Sequence, residues 1–202
     1  MTRRLAFFAL TGVCVAFLFL AGCSESTKPR TRERESLVAR NTPENVLKDL
    51  RIIYSVMDDD VSTPEDAHSL ALKYRELFHP DFKFYFVPGD TPPGFPMGWW
   101  GRFDETAAFD SMMVYRAAGQ LTDVKLSWSP AAPDSDNRVD PDTQLPLHPD
   151  WMYINVASVL LDLVAGQFTY RVSNGMADFW FAPDPADTTL WVIAEWQDRQ
   201  AP

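Results

Sequence analysis

Cysteine is nearly absent: the chain has two in 202 residues, Cys14 and Cys23. Histidine is scarce too, and His68, His79 and His148 are too dispersed to give a zinc-ligand spacing. Nine glycines are spread without a Gly-rich phosphate cradle, a dinucleotide fingerprint or a Gly-x-Ser-x-Gly elbow. Basic residues are few beyond position 40, where 11 Lys plus Arg stand against 25 Asp plus Glu. So acidic a body excludes nucleic acid, whose phosphates need Lys and Arg. The acidity also serves solubility. Asp134, Asp136, Asp140 and Asp142 cluster between 130 and 150. They lack the central glycine and closing glutamate of a calcium loop and read as a turn-rich, solvated loop. No metal, no cofactor and no nucleic-acid partner is expected, and spacing names no catalytic residue.

What the chain does have begins at its N-terminus. Arg3 and Arg4 precede an apolar stretch, Leu5 to Leu20, and then the small residues Ala21 and Gly22. That order reads as an export signal. An uncleaved anchor is the alternative, since the stretch approaches the roughly 18 to 20 residues needed to cross a bilayer. Leu20-Ala21-Gly22-Cys23 resembles a bacterial lipobox. The resemblance implies cleavage before Cys23, lipidation of that cysteine, and a place in the cell envelope on the exported side of the membrane. Cys14 would leave with the signal and Cys23 would be acylated, so no intramolecular disulfide would hold the fold. Residues 1–22 are then the signal peptide, 23–41 a lipidated polar tether and 42–200 the domain. Residues 24–40 hold five basic and three acidic residues. This basic tether suits an anionic membrane surface and the acidic body does not.

Thr42-Pro43-Glu44 and Thr63-Pro64-Glu65 each place Thr at an N-cap, Pro at the first helical position and an acid in the first turn. The first helix carries Val46, Leu47, Leu50, Ile53, Tyr54 and Met57 on one face. The second carries Ala67, Leu70, Ala71, Tyr74, Leu77 and Phe78, with Pro80 stopping it after His79. His79 reads as a helix-end residue. Asp81–Val87 predicts a strand, residues 88–101 a Pro/Gly loop, and Asp104–Tyr115 a third helix whose acids Asp104 and Glu105 suit its positive end. Strands follow at 121–129, 151–164, 168–181 and 190–197, with a long loop at 130–150. From Trp151 one face reads Trp151, Tyr153, Asn155, Ala157, Val159, Leu161, Leu163. The other reads Met152, Ile154, Val156, Ser158, Leu160, Asp162, Val164. Both faces are apolar. Helices can cover one, and a second copy of the chain is the simplest cover for the other, predicting a homodimer through the sheet face.

Two helices, a strand, a third helix and four long antiparallel strands resemble the NTF2-like superfamily, in its SnoaL-like branch. Local phrases resemble it too: Tyr74-Arg75-Glu76-Leu77-Phe78-His79-Pro80-Asp81-Phe82, Trp100-Gly101-Arg102, and Trp191-Val192-Ile193-Ala194-Glu195-Trp196-Gln197-Asp198. The resemblance covers about residues 41–198. It implies an α+β cone, with three early helices packed on a strongly curved mixed, mostly antiparallel sheet around an interior pocket. It carries over no catalytic residue.

A cone pocket is mainly apolar with a few placed polar groups. The candidates in apolar context are Tyr54, Tyr85, Trp100, Asn155, Asp178 and Glu195. Tyr153 is a further phenol, and Asp162 is expected to point into water. Of seven tryptophans, Trp99-Trp100 falls in the Pro/Gly loop, where the pair would line a pocket mouth; the bland reading is core and interface filling. The first reading is a lipid-anchored domain binding a small apolar ligand or a protein partner without catalysis. The second is a SnoaL-like isomerase, dehydratase or hydrolase working through Asp178 or Glu195. The third is a structural assembly subunit.

Overall fold

The computed structural model describes residues 36–199 apart from 88, 90, 92, 93 and 96; of 56–60 and 172–174 it describes the backbone alone. The expected signal segment, Cys23 and most of the expected tether lie outside the described residues. Among those described, no helix is long and apolar enough to cross a membrane.

Helix α1 spans Pro43–Asp60 and is capped by Thr42, whose Oγ1 accepts from Asn45 N at 3.3 Å. Helix α2 spans Pro64–Arg75 behind a reciprocal cap. Thr63 Oγ1 accepts from Asp66 N, and the Asp66 carboxylate accepts from Thr63 N. Each cap satisfies helix-start N–H groups that have no partner within the helix. Strand β1 (Phe78–Tyr85) begins earlier than the sequence predicts. Helix α2 stops at Arg75, and Phe78 already pairs with Ile193. Pro80 therefore sits in a strand, and His79 is not a helix-end residue. The strand tolerates this proline because its register against β7 shifts between Phe78 and Lys83, so no ladder bond is demanded there.

Strand β2 (Trp99–Gly101) lies where a loop is predicted, and helix α3 covers Arg102–Ala117. Strands β3 (Asp123–Pro130), β4 (Asp134–Ser135), β5 (Met152–Ala165), β6 (Phe168–Asp184) and β7 (Asp187–Arg199) complete the chain. One sheet results, ordered β2-β1-β7-β6-β5-β3, with β4 paired to β5. The β1–β7 pairing is parallel and the others are antiparallel. The three helices pack on one face of this curled, mixed sheet, which is the α+β cone expected. The core between them is aromatic: Tyr74 and Phe109 stack at 3.8 Å, and Phe78 meets Tyr74 edge-on at 4.9 Å.

Strand β5 departs from simple alternation. Ser158 has a φ of 55°, a left-handed conformation rare for a side-chain-bearing residue. The register against β6 slips on both sides of Val159. This bulge switches which residues face the helices. Before it, Met152, Ile154 and Val156 meet the core; after it, Val159, Leu161 and Leu163 do. The two predicted faces therefore exchange at Ser158, and the helix face becomes apolar along the whole strand.

The opposite face is covered in part by the chain itself. Residues 134–151 fold back as a strap: β4 pairs with Tyr153 and Met152, and Asp136 N donates to Trp151 O at 3.0 Å. Arg138 is the strap's fastening. Its guanidinium binds both oxygens of Asp136, reaches Glu195 Oε2 at 2.6 Å and lies 4.3 Å from the Trp180 ring centroid. Burial works to raise the Asp136 pKa, but the bonds from Arg138 outweigh it and hold the carboxyl below its ordinary value.

Ser158→Val is expected to cost about 1–3 kcal/mol, because a β-branched residue resists the left-handed conformation that the bulge requires, and its urea midpoint should fall accordingly. Ser158→Gly should keep or slightly raise the wild-type midpoint. A Ser158→Val variant with an unchanged midpoint would refute the bulge.

Candidate functional site

The interior polar centre is Glu105, on α3 and only 7% exposed. It shares a helical stripe with Phe109 and Met113, all three buried. Its oxygens are both engaged. Tyr74 Oη on α2 donates to Oε1 at 2.5 Å, and Trp100 Nε1 on β2 donates to Oε2 at 3.0 Å. Tyr54 on α1 meets the Tyr74 ring edge-on, with centroids 6.2 Å apart. One carboxyl thus links α3 directly to α2 and β2, and through Tyr74 to α1.

Strand β7 adds a second acid. Trp196 pairs with inward-facing Phe179, so Asp198, two residues on, shares its face. Its Oδ1 accepts from Trp196 Nε1 at 2.9 Å. Burial pushes Glu105 up to about 7 against the opposing bonds from Tyr74 and Trp100; the Asp198 charge adds to the rise. Burial likewise pushes Asp198 up to about 6. Desolvation first, and the Glu105 charge second, raise both Tyr54 and Tyr74 far above the ordinary phenol range. The cone interior therefore holds two carboxyls raised well above the ordinary carboxylate range, with Glu105 the nearer to neutrality.

Trp100 connects this interior to the surface. With Phe95, Met97, Trp99, Gly101 and Asp104 it lines a concavity of about 220 Å³. The Pro/Gly loop is drawn over β1 here, with Phe86 N donating to Gly98 O and Gly98 N to Phe95 O. Gly98, with a φ of 75°, supplies the left-handed turn. Phe84, Phe86 and Phe95 surround the Trp100 ring at 4.9–5.7 Å. A second, larger concavity of about 470 Å³ lies between α2 and α3, walled by Ala67, Ala71, Met113, Val114 and Ala117, with His68 and Asp110 also in its lining.

The six sequence candidates do not form one site. Tyr54 and Trp100 are at the interior centre. Tyr85, Asn155, Asp178 and Glu195 lie on the opposite sheet face, as register dictates: Asn155 opposes Asp178, Asp178 opposes Gln197, and Gln197 opposes Tyr85. Asp178 is buried and accepts from Tyr153 Oη at 2.6 Å and Asn155 Nδ2 at 2.7 Å, with Arg199 at 3.0 Å. Glu195 is held by Arg138. Both are structural partners of cations and donors rather than pocket acids. Asp162 is also paired rather than free: Arg171 Nε and Nη2 bind its two oxygens at 2.5 and 2.9 Å and hold its pKa down. His79 Nδ1 accepts from Asp81 N at 3.1 Å, and burial lowers its pKa.

The acids of the 130–150 loop serve local turns. Asp140 accepts from the N–H groups of Asp142 and Thr143, and Asp134 from that of Ser135. Among the described residues, no group of three or more His, Cys, Asp or Glu is placed to hold a metal ion.

No protein-family model and no curated protein matches the chain. It is similar in structure to an NTF2-like protein with a cystatin-like fold from Novosphingobium aromaticivorans: 14% identity, TM-score 0.40, 77% of this chain and 81% of that one. It is also similar to ActVI-ORFA from Streptomyces coelicolor, at 10% identity and TM-score 0.44, covering 76% and 96% of the two chains. The beta subunit of benzoate 1,2-dioxygenase from Burkholderia mallei matches at 10% identity and TM-score 0.44, over 78% and 89%. Likenesses at this level say nothing of what this chain binds.

The raised Glu105 pKa fixes a pH trend. The folded state favours the neutral acid more than the unfolded state does, so this stabilisation is full below about 4.5 and is lost as pH rises through about 7. Glu105 should thus withdraw about 3 kcal/mol between those limits. Urea midpoints measured from pH 4.5 to 8 should fall in the wild type and fall much less in Glu105→Gln. Equal slopes in the two proteins would contradict the assignment.

Proposed function

We propose that the chain is an NTF2-like binding domain, anchored in the bacterial envelope through an acylated Cys23, that takes a small, largely apolar molecule at the Trp100 mouth without catalysis. The observation that carries this is the Trp100 indole. It is a wall of the 220 Å³ concavity and is fixed from behind by its bond to Glu105. A preformed aromatic wall binds without the cost of ordering it. The anchor rests on the lipobox-like residues, and a sheet-face homodimer rests on the part of that face the strap leaves open.

One observation favours a second reading, an acid–base enzyme of the SnoaL-like kind. Glu105, rather than Asp178 or Glu195, is the interior acid titrating near neutrality, as proton transfer requires. Against it, both Glu105 oxygens are already bonded, to Tyr74 and Trp100.

Native mass spectrometry of the full chain, expressed in a bacterium and extracted in mild detergent, tests both parts of the proposal. The expected species begins at Cys23, carries acyl groups and retains a small molecule. A species beginning at Met1 would refute the anchor. A protein that stays empty across growth conditions would refute ligand binding.

A further inference from the structure

The concavity at Trp100 has a definite chemical character. Its walls are aromatic and thioether: Phe95, Trp99, Trp100 and Met97. Among the described lining residues, the ionisable one is Asp104. Asp104 Oδ2 accepts from Gly101 N at 3.1 Å, closing the start of α3. Its Oδ1 has no partner among the described residues. A carboxylate only accepts hydrogen bonds, so the described lining offers aromatic and thioether surface and one negatively charged acceptor, with no side-chain cation among the described lining residues.

Those groups suit a positive charge. Indole faces attract ammonium groups more strongly than other aromatic rings do, and the attraction grows as water is excluded. Trp99 already exercises this property: Lys83 Nζ lies 5.2 Å from its ring centroid, and Lys83 is not among the residues lining the concavity. The domain's excess of acidic residues adds a long-range field that draws cations toward such a cleft.

We propose that the Phe95–Trp100–Asp104 concavity binds a small organic cation of the alkylammonium class, its apolar substituents against the Phe95 and Trp100 rings and its charge facing Asp104. The ligand of the binding reading is thereby narrowed from apolar to cationic with an apolar shell. This inference rests on that reading, because both need the concavity to be a ligand site. The volume suits a head of one quaternary nitrogen with a short arm.

The test uses choline and its uncharged isostere 3,3-dimethylbutan-1-ol as probes. Each is titrated into the full chain in a non-ionic detergent and followed by tryptophan fluorescence and calorimetry. Choline is expected to bind at least about tenfold more tightly than the isostere. Asp104→Asn should remove that preference while lowering the thermal midpoint by no more than about 2–4 °C, because Asn still accepts from Gly101 N and only the favourable charge at the helix start is lost. Asp110→Asn removes the same charge elsewhere on α3 and should leave choline binding intact. Equal affinity for the two probes, or equal losses in the two variants, would overturn the cation assignment while the small-ligand reading stands. Binding of neither probe would overturn the cation assignment too. Whether a retained molecule appears in the native mass spectrum then decides the binding reading separately.

Discussion

One buried carboxyl organises the interior. Glu105 sits on a helix face otherwise given to Phe109 and Met113, and it is tolerable there only because both of its oxygens accept hydrogen bonds. Its donors come from different elements, Tyr74 on α2 and Trp100 on β2. A purely apolar residue would fill the same volume, but it would not fix the rotation of the Trp100 ring. The bond carries a continuing cost in desolvation, visible as the raised pKa, and in return it sets one wall of the mouth. A surface-reaching aromatic held in one orientation at a cost in stability is what the proposed binding role requires.

The opposite sheet face follows a different logic. Its acids are many, and each is matched: Asp178 by Tyr153, Asn155 and Arg199, Asp162 by Arg171, Glu195 and Asp136 by Arg138. Arg138 lies over Trp180 as well, so the long loop packs by charge and ring contact together. In an acidic domain, the few arginines are placed where buried carboxylates would otherwise repel one another. The strap also means that a second copy is not needed to cover Trp180.

Much of this was legible in the sequence, for identifiable reasons. The Thr-Pro-Glu pairs located two helix starts to the residue, because capping depends on the side chain and its immediate neighbours. Five strands were legible as runs of strand-forming apolar residues, whereas β2 and β4 fall in stretches that read as loops. The failures came where a local rule had a competitor. Ser158 reversed the strand faces, and a serine carries no sequence mark of a left-handed bulge. Pro80 suggested a helix stop, yet the irregular pairing beside β7 lets it sit within a strand. Asp178 and Glu195 were embedded in apolar strands and so resembled pocket acids; only cross-strand register puts them outside. Glu105 was missed because an acid in a first turn is explained by the helix dipole. Its spacing of four from Phe109 and eight from Met113 was the available signal, and it outweighs the dipole when the apolar stripe passes through the acid.

The orientation of Trp100 depends on the state of that carboxyl. Carbon-13 NMR of the folded protein with labelled glutamate side chains would follow each carboxyl through its titration. Glu105 should titrate at about 7, and the Trp100 indole N–H resonance should move with the same midpoint. A Glu105 signal that titrates with the exposed glutamates, near the ordinary value of about 4.3, would contradict the buried, Trp100-holding role.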